Sequence, residues 1–295
     1  MPMFVKFWGV RGSIPTPGPA TRRYGGNTSC VEVRSPEAHF ICDAGSGIRE
    51  LGVSLARAAR GKPITSHLML SHAHWDHIQG FPFFGPAYNP TTTLRVYGTE
   101  PGDSRFHQLL SGQMGSDYFP VQFADLPGNI VSDHLDGGTR LVGDTTVAVL
   151  PVWHPGGSLS YRFTYGGRHV VYSTDNELDL VIQNPEDADR PEVLRKLPSR
   201  LVDFISGADL LIADGQYTDA EYPKHVNWGH SRATTVVDLA VAAKVRQVAI
   251  FHHDPMQSDA DVDAKIDACR ERAAILGAHQ LSVFGAREGV ELRIG

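Results

Sequence analysis

The hydrophobic positions of this chain fall in short bursts, and each burst gives way to a polar or glycine-rich stretch. Phe4 to Val10, Cys30 to Arg34 and His39 to Cys42 read as early strands, and the Gly/Pro-rich stretch Gly12 to Gly26 reads as a loop. After Asp43-Ala-Gly-Ser-Gly the period changes. Ile48, Leu51, Leu55 and Ala59 fall on one face of a helix that Gly61 and Pro63 stop. Ile64 to Leu70 is then a strand that runs straight into Ser71-His-Ala-His-Trp-Asp-His77. Gly80 to Gly138, which includes Tyr118-Phe119-Pro120, is rich in Pro, Gly and aromatic residues; its pattern fixes few elements, and it is expected to elaborate the substrate side.

One design repeats in the second half. Strands are expected at Thr146 to Val152, Ser160 to Tyr165 and His169 to Ser173, the last delivering Thr174-Asp175. Leu201 to Ile205 is helical and stopped by Gly207, and Leu210 to Ala213 is a strand delivering Asp214. Ala233 to Ala243 is a helix with Ser231 as its candidate cap, and Val248 to Phe251 is a strand releasing His252-His253-Asp254. In the final helix Val262, Ile266, Cys269, Ala273 and Leu276 share a face, which makes Cys269 a core residue. Gln280 to Phe284 and Val290 to Ile294 read as a closing hairpin. Strands alternating with helices define an α/β protein, and without a linker or repeat, residues 1–295 are expected to form a single domain.

Composition narrows the partners. With 27 Lys plus Arg against 33 Asp plus Glu, no basic surface advertises a long nucleic acid. Cys30, Cys42 and Cys269 are too few and scattered for a disulfide framework or a zinc ribbon, and they fit reduced thiols in the cytoplasm. The N-terminus lacks the features of a secretory signal, and no apolar run reaches membrane-spanning length, so no membrane partner is expected. Oligomeric state stays open, a homo-oligomer included.

The chemistry concentrates at one strand exit. His72 and His74, two residues apart, can point at one ion from a tight turn, and Asp76 and His77 follow at once. One ion does not easily use all four groups. The arrangement suggests two neighbouring divalent ions, zinc first, with manganese or iron as alternatives, one at His72 and His74 and the other at Asp76 and His77.

The segment resembles the HxHxDH signature of the metallo-beta-lactamase superfamily, and further elements follow in the family's order over most of the chain. The resemblance implies a four-layer alpha-beta-beta-alpha sandwich with metal ligands on loops at one edge of two central sheets. It also implies that His154 is the third ligand of the first ion and that Asp175 bridges both. His252 and His253 are both candidates for the last ligand, with His252 preferred because it takes the strand-exit position; His253 or Asp254 would then orient the ring. Asp43 resembles the family's early strand-end aspartate, which supports the metal loop. His39, His67, His107, His134, His169, His225 and His279 have no comparable context and read as ordinary surface or satisfied histidines.

Within the superfamily, Leu211-Ile-Ala-Asp-Gly-Gln-Tyr followed by Gly229-His-Ser resembles the ribonuclease Z and phosphodiesterase branch. There an acidic residue pairs with the His of a His-Ser/Thr motif to assist phosphodiester cleavage, and Asp214 and His230 occupy those places. A carboxylate that holds an imidazolium beside the scissile bond lets His230 stabilise the oxyanion or protonate the leaving oxygen. The expected reaction is attack on phosphorus by a hydroxide bridging two ions, with Asp76 orienting the water. Only 20 residues separate His154 from Asp175, too few for a long arm that grips transfer RNA, so the expected substrate is a small phosphodiester such as a cyclic nucleotide. The rivals are hydrolysis of a thioester, lactone or beta-lactam at the same centre, and a ligand sensor without catalysis. A flavin-coupled di-iron oxidoreductase is disfavoured, because position 74 lacks the acidic residue expected there.

Overall fold

The computed structural model describes residues 2–98, 104–135 and 138–295, with the side chains of residues 104–107 and 134 outside the description. Two seven-stranded sheets carry the fold among the described residues. The first contains β1 (Met3–Gly9), β2 (Cys30–Arg34), β3 (His39–Cys42), β4 (Ile64–Met69), β5 (Thr92–Gly98), β6 (Asn129–His134) and β14 (Glu291–Ile294). Its spatial order is β14-β1-β2-β3-β4-β5-β6. The second contains β7 (Thr139–Val142), β8 (Thr145–Val152), β9 (Ser158–Tyr165), β10 (Arg168–Ser173), β11 (Leu210–Asp214), β12 (Gln247–Phe251) and β13 (Ser282–Gly285). It runs β13-β12-β11-β10-β9-β8-β7.

The alternation along the strands explains why the sheets stack. In β1, Met3, Val5 and Phe7 are buried while the residues between them are less so, and the buried set meets Tyr161, Phe163, Tyr172 and Phe251 of the second sheet. The outer faces are apolar too. On the first sheet, Ile41, Leu68 and Val96 are covered by Ile48 and Leu51 of α1 (Ile48–Ala59) and by Leu110 of α3 (Ser104–Gln113). On the second, Val171, Leu211 and Val248 are covered by α4 (Ser199–Ile205), α5 (Ala233–Ala242) and α6 (Asp259–Ile275). Helix, sheet, sheet, helix is the expected four-layer sandwich. Cys269 lies in the α6 core, as its spacing implied, and burial pushes its thiol up to about 12. No helix among the described residues is long and apolar enough to cross a membrane.

Each sheet has an antiparallel half and a parallel half, and the parallel half positions the chemistry. Strands β3 to β6 run parallel in one sheet and β10 to β13 in the other. Ligands of open α/β sheets bind beyond the carboxyl ends of such strands. Asp43, His72, Asp175, Asp214 and His252 all lie just past, or at, those ends.

Three expectations need correction, and one strand was not foreseen. Gln280 to Phe284 and Val290 to Ile294 do not form a hairpin: β13 pairs parallel with β12, whereas β14 pairs antiparallel with β1. Period-two sequence fits either arrangement, and the open edges of β12 and β1 supply the hydrogen-bonding partners. Gly80 to Gly138 is not merely elaboration, because it contributes β5 and β6 to the first sheet. The strand β7 escaped notice; it is short, and Thr139, Arg140 and Leu141 are exposed. Ser231 does not cap α5, whose N-cap is Arg232 without a side-chain cap; the Ser231 hydroxyl instead donates to Asn176 O and accepts from Leu178 N.

The side chains of His107 and His134 lie outside the described residues, and His67 is a satisfied histidine. Its ring packs against Phe40 and is hydrogen-bonded to the Tyr97 hydroxyl at 3.2 Å. Burial, with Arg95 adding to it, pushes its pKa from 6.5 down to about 4. In that window the unfolded chain binds the proton and the folded one does not, so stability is lost as pH falls from 6.5 towards 4. Urea denaturation across that range should show a shallower loss in His67→Phe than in the parent.

Candidate metal centre

Asp43 fixes the loop after β4. It accepts from the Ser71 amide at 2.7 Å, the Ser71 hydroxyl at 2.8 Å and the Tyr172 hydroxyl at 2.7 Å, and it holds His77 Nδ1 at 2.8 Å. A carboxylate on Nδ1 fixes the ring's orientation, so His77 turns Nε2 to the site. The chain then turns into the single-turn helix α2 (Trp75–Ile78), which puts Asp76 and His77 into the interior and leaves His74 exposed.

Asp43, Asp175 and His252 all adopt left-handed backbone conformations, with φ of 61°, 47° and 58°. A non-glycine residue there costs about 1–2 kcal/mol, and such conformations persist where the surroundings over-determine them. Here they turn side chains inward at three separate strand exits.

The result is a buried cluster. His72, His74, His154 and Asp175 offer ligand atoms all within 4.8 Å of one another, as do Asp76, His77 and His252. Asp175 reaches both groups. Its Oδ2 lies 3.5 Å from His72 Nε2 and 3.8 Å from His154 Nε2, while its Oδ1 lies 3.2 Å from both His77 Nε2 and His252 Nε2. Asp76 Oδ2 sits 3.3 Å from His77 Nε2 and 3.1 Å from His252 Nε2, and it accepts the Ser13 amide at 2.7 Å.

These residues fit divalent cations. His72 Nε2 is buried with no hydrogen-bond partner among the described residues, an orphan that a metal ion would satisfy. Imidazole nitrogens also face each other, His154 Nε2 and His74 Nδ1 at 3.1 Å and His77 Nε2 and His252 Nε2 at 3.3 Å. Lone pairs converging beside carboxylates are the donor set of zinc-type ions. Burial pushes the pKa of His72, His74 and His154 down, which favours the neutral, ligating ring. Burial works against the charge on Asp76 and Asp175, yet the surrounding imidazoles hold both well below the usual carboxylate range. Burial likewise opposes charge on His77, but Asp175, Asp76 and Asp43 raise its pKa well above the ordinary value.

Neighbours that the sequence did not flag orient the rings. His252 Nδ1 meets Gln216 Oε1 at 2.9 Å, and the Gln216 amide nitrogen is in turn held by Asp254 at 3.2 Å. His154 Nδ1 meets Gly229 O at 2.9 Å, and Glu177 accepts the amides of Gly229 and Asn227 at 2.7 Å. Single polar residues in loops carry no spacing signal, so Ser13, Tyr172, Glu177 and Gln216 become visible only in three dimensions. His253 points elsewhere, with its Nε2 3.0 Å from Ala286 O, so of the two candidates His252 joins the cluster.

Beside the cluster, His230 Nδ1 lies 2.7 Å from Asp214 Oδ2, and the His230 ring stacks on that of His252 at 4.8 Å. Burial opposes its charge, but Asp214 outweighs burial and raises the pKa to about 9. His230 therefore carries a proton at neutral pH, with Nδ1 committed to Asp214 and Nε2 left for other chemistry.

Fold and clustered donors together define the class, a metal-dependent hydrolase. The model of the beta-lactamase superfamily domain matches residues 39–253, and the chain belongs to the metallo-beta-lactamase superfamily. It is similar to a ribonuclease Z from Natronomonas pharaonis, 24% identical over 290 residues that cover 85% of this chain and 87% of that one. Among solved structures it is similar to the metallo-beta-lactamase fold protein YhfI from Bacillus subtilis, with a TM-score of 0.66 and 18% identity, covering 99% of both chains. It is also similar to the short form of human tRNase Z, with a TM-score of 0.64 and 15% identity, again over 99% of each chain. At such identities the structural likeness speaks for the fold.

Gly229 has φ of +91°, and a Cβ there would lie 2.1 Å from His154 Nδ1. Gly229→Ala should therefore displace His154 and reduce the metal retained after dialysis, as read by elemental analysis, while far-UV circular dichroism stays that of the parent.

Proposed function

We propose that this protein hydrolyses a small phosphodiester, such as a cyclic nucleotide, with two divalent ions, most simply zinc. His72, His74, His154 and Asp175 would hold one ion, and Asp76, His77, His252 and the shared Asp175 the other. The observation that carries the proposal is the His230–Asp214 contact of 2.7 Å beside the donor cluster. A charged imidazole beside the donors can give a proton to the departing alkoxide or stabilise the oxyanion of a phosphoryl group. Bound divalent ions supply acidified water and neutralise charge developing on a phosphoryl group.

The chain's own residues do the rest. The two oxygens of Asp175 face opposite halves of the cluster and keep them in register. Asp76, fixed by the Ser13 amide, orients the attacking water as a hydrogen-bond acceptor. His230, kept protonated by Asp214, donates to the leaving oxygen or to the oxyanion from Nε2. The likeness to a protein named ribonuclease Z supports diester chemistry. The 20 residues between His154 and Asp175 leave little room for an RNA-gripping arm, which favours a small substrate. Residues 1–295 act as one domain in this proposal, since donors come from both sheets. Cys30, Cys42 and Cys269 are free and buried, which suits the cytoplasm.

Asp175→Ala should lose bound metal in elemental analysis. His230→Ala should keep its metal yet lose about 10²–10⁴-fold in turnover of a chromogenic phosphodiester; intact turnover would remove His230 from the mechanism. Metal-loaded protein offered phosphodiesters in parallel with thioester, lactone and beta-lactam substrates should turn over the diesters, and acyl-only activity would reverse the proposal.

A further inference from the structure

Lys265 of α6 is only 2% exposed and keeps its ammonium inside the protein. Its Nζ donates to Gln216 O at 2.9 Å and to Gln257 Oε1 at 2.8 Å, both neutral acceptors, and among the described residues no carboxylate is in contact with it. Burial pushes its pKa down to about 8, which leaves it charged at neutral pH. A buried cation without an anion in contact opposes folding, and an apolar side chain of the same length would fill the space without that cost. Packing alone therefore does not account for a lysine at this position, and its acceptors point to the site.

The Gln216 carbonyl belongs to the segment that leaves β11 for the site. The Gln216 amide donates to Asp214 Oδ1 at 2.9 Å, while Asp214 Oδ2 holds His230 Nδ1 at 2.7 Å. The Gln216 side chain meets His252 Nδ1 through Oε1 at 2.9 Å. The peptide between Gln216 and Tyr217 is trans, so its carbonyl and its N–H point in opposite directions. The carbonyl meets Lys265, and the N–H donates to Ser231 O at 3.2 Å, one residue past His230. One short segment thus touches the donor His252 and the carboxylate behind His230, and Lys265 holds it from the side away from Ser231. Gln257 braces the same carbonyl, with Nε2 donating to Gln216 O at 3.3 Å and to Glu221 Oε2 at 2.9 Å.

We propose that Lys265 is a positioning residue: by anchoring the Gln216 carbonyl it fixes residues 214–217, so that His252 keeps Nε2 towards the donor cluster and Asp214 stays on His230. A shift of this segment would misplace a metal ligand and the imidazolium together. Lys265 also lines a cavity of about 390 Å³ with Thr218, Glu221, Gln257 and Met256, and Met256 is 90% exposed, so the cavity reaches solvent beside the ammonium. The effect on turnover through His230 rests on the phosphodiesterase reading; the hold on His252 rests on the metal centre alone.

Lys265→Met removes the charge and keeps the bulk. It should melt no lower than the parent, bind zinc about tenfold more weakly in competition with a chelator and, with zinc in excess, lose about tenfold in kcat on a chromogenic phosphodiester with KM little changed. Lys265→Ala removes the atoms that n-propylammonium replaces. Adding that amine should restore zinc affinity and turnover, whereas tetramethylammonium, which has no N–H to donate, should not. Zinc affinity and turnover like the parent's in Lys265→Met overturn the proposal, as does an equal response of Lys265→Ala to the two cations. A Lys265→Met that melts earlier or does not fold, together with a Lys265→Ala that the amine does not restore, assigns a structural role and overturns it too. Weaker zinc binding by Lys265→Met in a protein that hydrolyses no diester keeps the anchor and removes the phosphodiesterase reading; diester turnover by the parent with Lys265→Met unchanged does the reverse.

Discussion

The site depends on one buried carboxylate facing two ways. Asp175 sends one oxygen towards His72 and His154 and the other towards His77 and His252, from a backbone conformation that only a well-determined surrounding would hold. Burying that charge is unfavourable unless cationic partners compensate. Imidazolium groups do so in part, and divalent ions would do so more fully while leaving the histidines neutral. The two sheets serve this convergence: their parallel halves end at the same edge, so donors far apart in sequence arrive within hydrogen-bonding distance of one another.

A division of labour follows from the surroundings of each imidazole. His77, His154 and His252 have Nδ1 committed to Asp43, Gly229 and Gln216 respectively, so all present Nε2 inward. His230 has its Nδ1 on Asp214 as well, and this carboxylate raises its pKa to about 9. The partner behind each ring fixes which nitrogen faces the cluster. Gly12 and Gly229 give the rings room: a Cβ at Gly12 would lie 2.4 Å from the His252 ring.

Much of this was legible in the sequence where local periodicity and strand exits coincide. The apolar run into His72-Ala-His-Trp-Asp-His77 located the first half of the cluster. The resemblance supplied His154, Asp175, Asp214 and His230, which no spacing could have joined, because their proximity is made by sheet order. Pairing partners were less readable. The stretches around β13 and β14 look like a hairpin because alternation reports burial and not which edge a strand joins. Ser231 looked like a cap because its position fits one, yet its hydroxyl is taken by Asn176 and Leu178. Gln216, Glu177 and Ser13 left no trace in pattern, since each acts through one long-range contact.

The divided ending of the chain has a bearing on biosynthesis. Ser282–Gly285 is the border strand of one sheet and Glu291–Ile294 of the other, so both layers gain their final strand only as the last described elements leave the ribosome. The last residue of the donor cluster, His252, is therefore synthesised before either border strand, and the layers behind the cluster are completed only after all of its side chains have been made.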